Sequence, residues 1–269
     1  MSEITADGRP VDLYAVLPHS GEPTFVHANI PPATAILDLS HSGGRFANPL
    51  TDLGHPVTVV DDSAAMLAQV HGARTVQSDL ATLSLDEQFP VVLVAGARLN
   101  TADETLRTAL LATCRRHVTP SGQVIMNWLP PSWFSNVTSS TGRIWPVEVS
   151  FSVESFDGTV LHAHSTYRLA NTTWEQRTTV RRLSRADLHT TLANADLRLT
   201  HHLHGGRHFF SAVPSPTPPG DVSPNPTTAS PMDTRLTTAA TPPGSQATGA
   251  ARSPVTTAAK VAEPSPSRR

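Results

Sequence analysis

From Ala35 to Asp62 short apolar runs and polar breaks follow one another in an order that predicts strand, loop, helix, strand. Ala35–Leu39 is a continuous apolar run closed by acid and serine, the length of a buried strand. Ser40 to Gly44 is a loop of small residues. Phe46, Leu50 and Leu53 then recur at helical spacing, Gly54 stops that helix, and Val57–Val60 opens a second strand that ends on Asp61 and Asp62. An apolar strand, a tight polar loop, a helix and a strand ending in acid together make a nucleoside-binding βαβ unit.

The same reading carries along the chain. An N-terminal helix is expected over Val11 to Pro18. Ser63 caps a short helix holding Met66, Leu67 and Val70, and a third strand covers Arg74–Gln77. Pro90 begins a buried apolar strand that Gly96 ends. Asp103 to His117 is an amphipathic helix with Leu106, Leu110, Leu111 and Cys114 on one face. A turn at Pro120-Ser-Gly leads into a strand over Gln123–Trp128. This alternation predicts a parallel sheet with helices on both faces. The pattern then changes to successive β segments, Val147–Val153, Thr159–Leu169 and Thr173–Leu183. A last helix follows, capped by Ser184, with Leu188, Leu192 and Ala195 buried. The chain closes with a hairpin, Leu197–His204 and Arg207–Val213, around Gly205-Gly206.

After Val213 the composition shifts to Pro, Thr, Ser and Ala, with no aromatic residue and no periodic apolar face. Such a segment cannot offset its chain entropy by burial. The expected organisation is a domain over 1–213, with a β insert at about 145–183, and a disordered tail over 214–269. The formal net charge is −2 and lysine occurs once, at Lys260. The scattered arginines make no polyanion field, so nucleic acid is not an expected partner. One cysteine, Cys114, excludes an internal disulfide and any cysteine-based zinc cluster. No apolar run spans a bilayer and MSEITADGRPVD lacks a signal pattern, so the expectation is a soluble cytoplasmic protein without membrane contact.

In order and spacing, LDLSHSGGR, GHPVTVVDDSAAML, QSDLATL, FPVVLVAGARLN, RHVTPSGQVIM and the terminal FFSAV resemble the class I S-adenosylmethionine-dependent methyltransferases across the whole folded region. The resemblance implies an α/β, Rossmann-like seven-stranded sheet with a closing antiparallel hairpin and a small antiparallel insert after the fifth strand. It also implies S-adenosylmethionine as cofactor. Asp38 would orient the loop and the cofactor's amino-acid end. Ser40, Ser42, Gly43 and Gly44 would form the loop against it. Asp61 would accept from the ribose hydroxyls, with Asp62 as the register alternative. Met66 would pack on the adenine, Asp79 and Leu80 would hold its amino group and edge, and Ala95 and Gly96 would floor the sulfonium. Two positions depart from the family pattern. Serines stand at 40 and 42 where glycines are usual, each costing about 1–2 kcal/mol if its φ must be positive, and Pro90 stands where many relatives have an acid.

Methyl transfer from a sulfonium is an in-line displacement in which a dedicated base is optional, and the catalytic residue stays unassigned. Tyr14, Trp128, Trp133, His162 and Tyr167 are the substrate-side candidates, with Asn127, Phe134, His164 and Trp174 beside them. The alternative use of these aromatics is to pack the insert onto the sheet. His41 is expected to be exposed. His162/His164 and His202/His204 share strand faces, but neither pair shows a third ligand, so no metal is expected. The reading is a methyltransferase modifying N or O of a small molecule or peptide in natural-product biosynthesis. Its alternative is a methyltransferase-like scaffold that no longer catalyses, and an NAD-dependent oxidoreductase is a weaker third.

Overall fold

The computed structural model describes residues 3–19, 21–203 and 208–216. Its centre is a sheet of seven strands in the order β10-β11-β5-β4-β1-β2-β3. These are β1 (Ile36–Asp38), β2 (Val57–Asp61), β3 (Arg74–Gln77), β4 (Phe89–Val94), β5 (Val118–Asn127), β10 (Leu197–His202) and β11 (Phe209–Pro214). The first five pair in parallel, β11 runs antiparallel to β5, and β10 pairs antiparallel with β11. That hairpin departs from the all-parallel edge of the NAD-binding arrangement.

Apolar alternation sorts the sheet's two faces, as a side-chain period of two requires. Leu37, Leu39, Val60, Val92, Val94, Val124, Met126 and Phe210 lie on one face. There they pack with α5 (Glu104–His117) and α7 (Arg185–Ala193) through Leu110, Leu111, Cys114, Leu188 and Leu192. Ile36, Val57, Val59, Val91, Leu93, Ile125 and Phe209 lie on the other, against Val26 of α2 (Glu22–Ala28) and Leu50 of α3 (Ala47–Asp52). The central strands are buried on both faces, hence their unbroken apolar runs. Register aligns Ile36 with both Val57 and Val91, so the carboxyl ends of β1, β2 and β4 finish together. Ligands of open α/β sheets bind at such an edge.

Ser63 and Ser184 cap as expected: Ser63 Oγ accepts from Met66 N at the start of α4 (Ala64–Leu67), and Ser184 caps α7, there within a capping box that Asp187 completes; Asp103 also caps α5. Four expectations change. Leu53 and Leu106 are exposed, because α3 ends before Leu53 and Leu106 sits on the outer side of the first turn of α5. Pro120-Ser-Gly lies inside β5, where the pairing with β4 slips between Phe89 and Val91, and makes no separate turn. The insert has a further strand, β6 (Ser140–Ile144), ahead of β7 (Val147–Phe156), β8 (Val160–Leu169) and β9 (Thr172–Arg181). A short α6 (Pro131–Asn136) precedes it, and the four strands form a separate antiparallel sheet. The Gly205-Gly206 turn and the 217–269 part of the tail lie outside the described residues.

Candidate functional site

The loop after β1 is built around Asp38, which is 1% exposed. Its Oδ1 accepts from Ser40 N at 2.8 Å, and its Oδ2 has no partner among the described residues. Burial pushes this carboxyl up to about 6, against the opposing hydrogen bonds from Ser40. Ser40 Oγ accepts from Ala95 N at 3.0 Å and so fastens the loop to the end of β4. Positive φ falls at His41 (50°), Gly43 (56°) and Gly44 (82°), and at neither serine. The strain expected of Ser40 and Ser42 is therefore absent from them and sits on His41. Gly43 has a steric reason as well: a Cβ there would lie 2.6 Å from Gln69 Oε1 and 3.2 Å from Tyr14 Cβ.

His41 is 6% exposed, which corrects the expectation of an exposed loop tip. Burial, with Arg98 and Arg9 nearby, lowers it to about 2, so its ring is neutral at ordinary pH. Nδ1 lies 3.5 Å from Arg9 Nη2. A guanidinium only donates, which makes Nδ1 the acceptor and places the proton on Nε2. Nε2 has no partner among the described residues, nor has Ser42 Oγ.

Asp61 ends β2 as expected and is 1% exposed. Its Oδ1 accepts from Ser63 N at 3.0 Å, while its Oδ2 faces Arg9 Nη1 at 3.4 Å. Arg9, which the sequence pattern did not single out, is itself 5% exposed. Its Nε donates to both oxygens of Asp7 at 2.7 and 2.9 Å, its Nη1 also donates to His41 O, and its Nη2 lies 3.9 Å from Asp62 Oδ1. Met66 is fully buried beside the loop. Asp79 is exposed and its Oδ1 accepts from Ala81 N at 2.6 Å, while Leu80 is buried in the core under α5. His41, Asp61 and Asp62 come within 4.8 Å of one another. The Arg9 guanidinium already supplies the cation among them.

A cavity of about 280 Å³ opens on this loop. Ser40, His41, Ser42 and Gly96 line one side, Arg9, Tyr14 and Arg98 another, and Gln176–Val180 of β9 the third. Asp38, Asp61, Asp62, Met66, Asp79, Leu80 and Ala95 do not line it. A larger polar cleft, about 500 Å³, lies away from the loop between α5, α7 and the end of β9. Of the substrate-side candidates, only Tyr14 lines the loop cavity. Its Oη accepts from Gln176 Nε2 at 3.4 Å. The others are placed by packing. Trp128 joins the core with Leu183 and Leu188 and stacks on His202. Trp133 and Phe134 pack with Leu161 and Val180. Tyr167 and Trp174 pack with Leu13, Leu17 and Val147, and burial raises the Tyr167 hydroxyl above its usual range. These aromatics hold the insert down and form no cage. His162 is exposed and its Nδ1 lies 3.1 Å from Oγ1 of Thr179, a cavity-lining residue, while His164 lies 3.7 Å from Glu175, and neither histidine lines the cavity itself. The arginines at 9 and 98 and the β9 wall had no signature of their own in the sequence.

The chemistry of the loop suits an amino-acid-bearing nucleoside. Asp38 Oδ2 is an unused acceptor, while Ser42 Oγ and His41 Nε2–H are unused donors, all buried. Residues 36–122, about a third of the chain, match the model of a methyltransferase domain family. No curated protein matches. Among solved structures, the CcbJ methyltransferase from Streptomyces caelestis aligns with a TM-score of 0.63 at 19% identity. That alignment covers 80% of this chain and 100% of CcbJ. The sugar N-methyltransferase KedS8 from a Streptoalloteichus species aligns at 0.61 and 18%, covering 80% and 98%. CalS10 from Micromonospora echinaspora, an amino pentose methyltransferase involved in calicheamicin biosynthesis and solved with S-adenosylmethionine bound, aligns at 0.56 and 19%, covering 73% and 89%. These likenesses establish the fold. With the domain match, residues 36–122 are similar to a methyltransferase domain set on the fold that these structures share.

Proposed function

We propose that this protein transfers the methyl of S-adenosylmethionine to N or O of a small molecule or peptide in natural-product biosynthesis, in the cytoplasm and without nucleic acid or membrane. The observation that carries this reading is the set of buried polar atoms without a partner among the described residues at the β1 loop, where His41 and Ser42 line a cavity that β9 bounds and Asp38 lies behind them. An amine nitrogen is the favoured acceptor atom, because KedS8 is a sugar N-methyltransferase and CalS10 acts on an amino pentose. No helix among the described residues is long and apolar enough to cross a membrane.

Bound S-adenosylmethionine would supply an electrophilic methyl on sulfonium. Asp38 would hold the cofactor's amino group, and Ser42 Oγ and His41 Nε2–H would donate to its carboxylate. Ser40, through Ala95 N, keeps the loop and the end of β4 in fixed relation. Gln176, Thr178 and Thr179 of β9 would orient the acceptor opposite. His41 is no base here, since its free nitrogen carries the proton. The acceptor therefore has to arrive with a lone pair already available, as a neutral amine does. Titration calorimetry with S-adenosylhomocysteine tests the cofactor reading, and absence of binding at millimolar ligand would sink it. Mass spectrometry of amino-sugar and glycopeptide acceptors incubated with the cofactor then tests the acceptor class.

A further inference from the structure

The carboxylate that would hold the ribose is already taken. Asp61 Oδ1 is committed to Ser63 N, and Oδ2, the oxygen left for a diol, lies against Arg9 Nη1 at 3.4 Å. Asp61 is 1% exposed and does not line the cavity on the loop, whereas Arg9 does. A diol that bridges both oxygens of Asp61 needs the position the guanidinium holds. Nor is Arg9 a loosely placed surface side chain. Both Asp7 oxygens grip its Nε, His41 O takes its Nη1, and the Tyr14 ring lies 6.0 Å from its centre.

The backbone that delivers Arg9 is a short closed turn. Gly8 N donates to Thr5 O and Thr5 N to Arg9 O, while Val11 N donates to Glu3 O and Ile4 bridges Pro10. This turn leads directly into α1 (Val11–Val16), which is tied to the core by Gln69 Nε2 donating to Val11 O at 2.8 Å. The outer part of the turn is open, with Asp7 about half exposed and Gly8 meeting nothing within 4 Å of where a Cβ would stand, while Thr5, Arg9 and Pro10 are its buried side. Displacing residues 3–10 would uncover Asp61 without disturbing the sheet.

We propose that Arg9 is an affinity-determining residue and an intramolecular competitor of the cofactor: Asp61 holds either the guanidinium or the ribose diol. This rests on the methyl-transfer reading of the same site. The bound cofactor expels Arg9 from Asp61, so its apparent affinity is the intrinsic one multiplied by the fraction of molecules with residues 3–10 displaced. The full chain carrying Arg9→Gln should bind S-adenosylhomocysteine about tenfold tighter than wild type by calorimetry. The gain should appear as faster association in stopped flow, a readout that a merely structural arginine would not move in that direction. Asp7→Asn weakens the outer anchor of Arg9, along with the Asp7 contact to Arg98 at 3.9 Å, and should give a smaller gain of the same sign, which decides the matter if Arg9→Gln folds poorly. Equal or weaker binding in folded Arg9→Gln, or in Asp7→Asn when that variant must decide, overturns the proposal. Asp61→Asn should abolish tight binding in the wild-type and Arg9→Gln backgrounds alike. Absence of S-adenosylhomocysteine binding in every protein, Arg9→Gln included, overturns the methyl-transfer reading along with it. Binding that is present but indifferent to Arg9 overturns the competition alone.

Discussion

At the residue scale, a loop whose serines break the glycine pattern in sequence carries no positive φ at either serine. Ser40 stands where the family pattern has glycine, yet it takes an ordinary φ and uses its hydroxyl to satisfy Ala95 N. Ser40→Ala should cost about 1–3 kcal/mol, because a buried N–H loses its acceptor, and a lowered midpoint in urea would show it. A Ser40→Ala protein as stable as wild type would refute that role for the hydroxyl. Asp38, Ser63 and Ser184 were legible because their partners lie within three positions along the chain. Arg9 was not, because it meets Asp61 across 52 positions and the pairing depends on a turn with no strong local signature. The burial of His41 was hidden for the same reason, since its neighbours Arg9 and Arg98 come from distant segments.

At the element scale, turns and caps are sharper in the sequence than the faces of short helices. The capping box on α7 predicts that Ser184→Ala loses about 1 kcal/mol, measurable as a lower melting temperature. Gly43→Ala should be worse for function than for folding. A side chain at φ 56° is strained, and its Cβ would meet Gln69 Oε1 at 2.6 Å, so the loop must shift. Binding of S-adenosylhomocysteine should fall about tenfold or more in calorimetry, and unchanged affinity would show that the loop tolerates the shift. The insert was legible as three strands because β7, β8 and β9 carry long β-rich runs. β6 escaped because Ser140–Ile144 is a polar, mostly exposed edge strand with no apolar alternation to mark it.

At the scale of the whole molecule, the buried Asp38 and His41 pull the acid response of stability in opposite directions. Asp38 is raised from 3.8 to about 6, chiefly by burial, so the native state holds its proton more tightly than the unfolded chain does. Its contribution is full below about pH 4 and is lost as pH rises through 6, a difference of roughly 3 kcal/mol. His41 is lowered from 6.5 to about 2, so its contribution is full above pH 6.5 and is lost as pH falls towards 2. Between about pH 4 and 6 the two slopes oppose. Asp38→Asn should unmask the His41 slope, giving a variant whose stability climbs with pH across that window more steeply than wild type. Urea unfolding at stepped pH reads this directly, and parallel curves for the two proteins would contradict it. The sheet order itself was legible, because runs buried on both faces, then an acid-ended strand, then a closing hairpin leave few arrangements. The seat of the insert was not. It depends on Asn100, which is fully buried. Asn100 donates to Leu129 O and Arg181 O and accepts from Leu129 N, while the neighbouring Thr101 bridges Val180. One amide thus ties the end of β9 to the segment after β5, beside the apolar packing of Val147, Tyr167 and Trp174 on Leu13 and Leu17. A chimera that exchanges 140–181 for the corresponding sheet of a protein of the same fold therefore needs to reproduce two things, the Asn100 socket and the apolar seam on Leu13 and Leu17, which makes the wall that β9 gives the loop cavity a graftable part.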